Sequence, residues 1–119
     1  MFTEVQQKNL LTEGQQWYDQ LVALRDKLNL FKTELYQFAP GKTDKDVLMG
    51  IEHFHNQFHI QLINVHDFKH ELRHHIQELE HLAVANHNTT HLKFKHNLDA
   101  LLKDLQELEV DFHRFIGKE

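Results

Sequence analysis

The 119-residue chain sets eighteen acidic against thirteen basic residues, for a formal net charge of −5 with its twelve histidines neutral, and it has no cysteine. Charges of both signs alternate without a basic block, so neither nucleic-acid nor anionic-membrane binding is expected. Disulfides, thiolate metal sites and thiol nucleophiles are excluded. Serine is also absent, leaving six threonines as the only aliphatic hydroxyls.

The opening MFTEVQQKNLLTEGQQ lacks the apolar core of a secretory signal, and no apolar run approaches the ~20 residues that span a bilayer. One cytoplasmic domain over residues 1–119 is the expectation.

Helix 1 has two legal starts. Thr3 with Gln6 and Thr12 with Gln15 both have capping spacing, so the helix runs from 3 or 12 to 39. Its apolar seam is Trp17, Leu21, Leu24, Leu28, Phe31, Leu35 and Phe38, on a 3-4 spacing. Pro40-Gly41 stops it, and Thr43 or Asp44 caps the next helix.

Helix 2 is expected over 45–86. Its seam reads Leu48, Ile51, His55, Phe58, Leu62, Val65, Lys69, Leu72, Ile76, Leu79 and Ala83. Lys69 in a seam implies a snorkelling side chain. Gly50 costs about 1 kcal/mol against alanine; it either permits close helix approach at a dimer layer or is only tolerated on an outer face, and its outer place on the heptad frame favours tolerance.

The polar cluster Asn86-His87-Asn88-Thr89-Thr90 breaks the pattern and offers several caps. Helix 3 then covers 89–116, with Phe94, Leu98, Leu101, Leu105, Leu108, Phe112 and Phe115 as its seam and Gly117 as its stop.

Three such seams with short connections predict an all-α, antiparallel, up-down-up three-helix bundle with coiled-coil-like packing and a long central helix. Helix 2 would be ~63 Å long and helix 3 only ~42 Å at 1.5 Å per residue. Helix 3 is therefore expected to run out early, leaving Phe31, Leu35, Phe38, Leu48, Ile51, Phe54, His55 and Phe58 without a third partner. A second copy completing that layer, a homodimer, follows from this expectation.

Seven histidines fall within residues 53–75. On a helical wheel His59, His66, His70, His74 and His81 occupy a sector roughly 80° wide beside the seam, whereas His53 and His75 point elsewhere. His55 sits in the seam. In helix 3, His91 lies one step before Phe94 in the seam, and His96 and His113 look exposed.

Imidazoles four residues apart can ligate one ion, as at His66/His70 and His70/His74, with Glu71 and Glu78 as further carboxylate ligands. Zinc, nickel or copper(II) would suit such donors, although one helix supplies only two ligands per site. Full protonation of twelve histidines would instead carry the formal charge from −5 to about +7, which points to a response to acid between about pH 7 and 5.

Di-iron bundles need Glu-x-x-His on two helices, all facing the core, and Glu71/His74 and Glu78/His81 share one helix off the seam. Without Ser or Cys, and without a glycine-rich phosphate loop, no enzyme chemistry is expected. The functional expectation is a non-enzymatic, self-associating helical module that requires no cofactor. The alternatives are a transition-metal-binding protein using the helix 2 stripe, or a pH-responsive helical protein.

Overall fold

The computed structural model describes the backbone of residues 4–81 and 87–117, and the side chains of 5–80 and 90–117. Three helices account for nearly all of it: α1 (Glu4–Phe38), α2 (Lys45–His81) and α3 (His87–Ile116). The Thr3 cap, the end of helix 2 over 82–86 with Ala83, and the side chains of His81, His87, Asn88 and Thr89 lie outside the described residues.

The helix ends follow local chemistry. Pro40 cannot extend α1, and Gly41 takes a φ of +82° that closes the turn at no steric cost. The Asp44 carboxylate caps α2: one oxygen accepts from the backbone N–H of Asp46 at 2.9 Å and of Val47 at 3.2 Å. Thr43 is not the cap. Gly117, at φ +78°, ends α3.

Helix 1 does not begin at Thr12. That residue lies two turns inside α1, and its hydroxyl donates to the Lys8 carbonyl at 2.9 Å, the back-bond of a threonine within a helix.

Ring and close-approach contacts fix the relative directions. Gly14 of α1 faces Ile76 of α2, and Phe31 faces Phe58, so sequence numbers run oppositely along these helices. Between α2 and α3, His75 meets His91, Phe68 meets Phe94 and Phe54 meets Phe115, again in opposite order. α1 and α3 run the same way, with Trp17 on His91, Lys27 paired to Glu109 at 2.6 Å, and Phe38 on Phe115. The rod that results measures 63 × 18 × 17 Å.

The core follows the expected seams in α1 and α3: Trp17, Leu21, Leu28, Phe31, Leu35, Leu98, Leu105 and Phe112 are buried. α2 departs from its seam at one end. Phe54 is buried and His55 is exposed, because the step from Ile51 to Phe58 is bridged by residue 54 on the side facing α3.

The expected gap at this end is not there. α3 is ~45 Å long against ~56 Å for α2, and the chain has already turned by His87, so its last turns reach the first turns of α2. Phe112 packs on Phe31, Phe54 and Phe58 with ring centres 4.8–5.7 Å apart, and Phe115 covers Phe54 and Phe38. Phe31, Leu35, Phe54 and Phe58 are thereby buried within one chain, Phe38 and Ile51 are partly buried, and only Leu48 and His55 of the proposed layer remain exposed. The basis for a dimer at this layer is removed.

The same contact gives Gly50 a role. A Cβ there would overlap the Phe115 ring, so glycine makes room for the end of α3 rather than being tolerated on an outer face. Lys69 does extend outward, its Nζ 5.6 Å from the Tyr18 ring centre. No helix among the described residues is long and apolar enough to cross a membrane.

Candidate functional site

At the opposite end of the rod the core changes character. Each helix contributes one polar residue to an aromatic layer: Glu13 from α1, His75 from α2 and His91 from α3. Both histidines are 3% exposed, the only buried polar residues among those described. Gly14 allows the approach, since a Cβ there would stand 3.0 Å from Ile76 Cγ1, and its chain neighbour Glu13 comes within reach of α3.

The polar atoms form a chain. His75 Nε2 lies 3.0 Å from His91 Nδ1, and His91 Nε2 lies 3.3 Å from Glu13 Oε1. Aromatic rings close it off: Trp17 stacks on His91 with centres 4.3 Å apart, and Phe94 stacks on His75 at 4.9 Å. Glu13 and Trp17 are one turn apart on α1, as are His91 and Phe94 on α3, so two helical periods supply both the polar chain and its walls.

Proton positions follow from the Glu13 end, whose side chain is 47% exposed. An ionised carboxylate can only accept, so His91 must donate from Nε2. Its Nδ1 is then a bare lone pair, and His75 must donate to it from Nε2. The neutral pair thus has one consistent tautomer, in which every contact has a donor and an acceptor.

Burial pushes the His91 pKa below its ordinary value of 6.5, and this outweighs the hydrogen bond and charge of Glu13, which act to raise it. Charging His91 would add a proton at Nδ1, facing the N–H of His75 across 3.0 Å. The layer accepts that proton only if His75 changes tautomer or the rings separate. It can therefore hold, relay or refuse a proton. It is poorly placed for chemistry on a substrate, because both nitrogens of His91 are engaged and one of its faces lies against Trp17.

The histidines singled out by helical spacing lie elsewhere. His59, His66, His70 and His74 are all exposed on the outward side of α2, as are Glu71 and Glu78. His81, the fifth, has its side chain outside the described residues. His70 and His74 approach each other with ring centres 5.3 Å apart. Among the described residues no three His, Asp or Glu side chains are grouped to hold a metal ion. His55, expected in the seam, instead meets the Tyr36 hydroxyl at 3.3 Å on the surface.

His96 is exposed, as expected. His113 is only 24% exposed in its side chain, lying edge-on to Phe31 with its Nε2 3.7 Å from Glu34.

Of the buried site, only His91 was placed inward by the seam. The helical wheel sets His75 only outside the histidine stripe, and nothing in the pattern singles out Glu13. A signal exists: Phe54, Gln61, Phe68 and His75 recur every seven residues on α2, a second row beside the expected seam, and each is at least partly buried. That row faces α3. No family model, curated protein or solved structure matches this chain.

Proposed function

We propose that this chain is a non-enzymatic helical module whose α2–α3 end is held together by a proton-sensitive histidine pair and loosens in mild acid. The observation that carries the reading is the buried His75–His91 pair, stacked between Phe94 and Trp17 and linked to the half-exposed Glu13. Among the described residues the titratable groups meeting in the layer are Glu13 from α1, His75 from α2 and His91 from α3.

In the neutral form the pair ties α2 to α3, and the Glu13 contact ties both to α1. Protonation puts charge into a water-poor layer and turns the His75–His91 contact from donor–acceptor into donor–donor. The layer lies one to two turns from the facing ends of α2 and α3. A module of this kind would present one surface near neutrality and another in acid.

Trp17 is the only tryptophan of the chain and stacks directly on His91, so its fluorescence reports the site. Between pH 7 and 5 the emission of Trp17 is expected to change with a midpoint below 6.5, and the change is expected to vanish in His91→Gln. Emission that is flat over this range, or a transition that survives the substitution unaltered, would overturn the proposal.

A further inference from the structure

α2 has a second seam, on the side turned away from α1 and α3. Ile60 and Ile63 are each 47% exposed, and Met49 is 59% exposed, three of the largest apolar side chains left uncovered. They fall on one 3-4 spacing with His53, Asn56, Asp67, His70 and His74, all exposed. This is the periodicity of a coiled-coil face, running ~39 Å from residue 49 to 74 at 1.5 Å per residue. The core-facing rows of the same helix are already occupied, and these residues stay exposed among the described residues.

We infer that the outward face of α2 is the interface of an antiparallel homodimer. The support is self-complementarity about a two-fold axis passing between residues 61 and 62. In that register Ile60 packs on the partner's Ile63, giving four isoleucines at the centre. Asn56 lies opposite the partner's Asp67, an amide donor facing a carboxylate. Met49 covers the partner's His74, and His53 meets the partner's His70.

The flanking positions agree. Glu52 comes beside the partner's Arg73, an opposite-charge pair that the two-fold axis repeats. Arg73 sits at the α1 edge of this face, its guanidinium 2.5 Å from the Tyr18 hydroxyl and over that ring. A parallel pairing would set Asp67 against the partner's Asp67 within the seam itself. Like charges directly opposite select against it.

Sedimentation equilibrium on the full chain tests this. The wild type is expected to be a dimer. Ile63→Glu is expected to raise the dissociation constant more than about a hundredfold, because symmetry places two carboxylates in the central layer. Its helical circular dichroism should be unchanged, since residue 63 is outside the core. Val110→Glu, at an equally exposed apolar position on α3, should leave the dimer intact.

Glu52→Arg and Arg73→Glu should each weaken association, and the two together should restore it. A wild type that stays monomeric at the highest soluble concentration, an Ile63→Glu dimer of unchanged affinity, or a charge swap that fails to rescue would each overturn the antiparallel dimer.

Discussion

Acid should weaken the wild-type fold more than it weakens His91→Gln, and the difference between the two isolates one group from the other eleven histidines. The unfolded chain takes up a proton at His91 near 6.5, while burial holds the folded value below that. Between those two values the unfolded state binds more protons, so stability is full above pH 6.5 and is lost as pH falls from there through the folded value.

If folded His91 stays neutral down to pH 5, the unfolded state gains about 2 kcal/mol from this one proton between pH 7 and 5. That is a ceiling, equivalent to a fall in Tm of roughly 6–10 °C for a domain of this size. The assay is urea unfolding at pH 7, 6 and 5, followed by circular dichroism. The wild-type minus variant difference should shrink by up to about 2 kcal/mol as pH drops, even though the substitution costs about 1–3 kcal/mol at pH 7 by disturbing a buried hydrogen-bond chain. Two unfolding free energies that fall in parallel would refute the reasoning.

Other substitutions test other parts of the fold. Phe58, fully buried among Phe31, Phe54 and Phe112, should cost about 3–5 kcal/mol when replaced by alanine; a cost below 1 kcal/mol would mean that the phenylalanine layer is not packed as described. Asp44→Ala should cost about 1 kcal/mol as a lost cap, whereas Thr12→Ala, at a residue inside α1, should be near neutral. Gly50→Ala should destabilise the wild type and stabilise a Phe115→Ala background, where helix propensity worth about 1 kcal/mol is no longer opposed by the ring. An equal effect in both backgrounds would remove that contact. Adding zinc, nickel or copper(II) should shift Tm by less than about 2 °C, since among the described residues no three His, Asp or Glu side chains are grouped to hold an ion; a shift of many degrees would make the stripe a metal centre.

The fold was largely legible because each helix advertises its core face and its ends. Trp17 to Phe38 and Phe94 to Phe115 alternate by threes and fours, and Pro40-Gly41 and Gly117 stop helices for covalent and steric reasons. What went unread on α2 has one physical cause. A helix packed against two neighbours buries a stripe wider than a single coiled-coil seam. Ile51, Phe58 and Leu72 were legible as one row, but Phe54, Phe68 and His75 form a parallel row toward α3. Reading one seam alone puts His55 inward, where it is exposed, and gives no place in the core to His75, which is buried.

The length comparison failed for a related reason. Helix lengths do not fix the offset between α2 and α3, and that offset brings Phe112 onto Phe54 and Phe58 and Phe115 onto Phe54. Glu13 was illegible for a different reason. A glutamate one turn before a tryptophan becomes informative only once His91 is known to lie beneath that ring. Histidine count drew attention to the outward face of α2, where imidazoles are solvated, and away from the two that are buried.

The most direct test of the buried pair is nitrogen-15 NMR of the imidazole rings at neutral pH. The expected result is that His75 and His91 are both uncharged, both carry their proton on Nε2, and show slow exchange with water. Either ring charged at pH 7, or His91 carrying its proton on Nδ1, would contradict the chain from Glu13 to His75 and the acid response drawn from it.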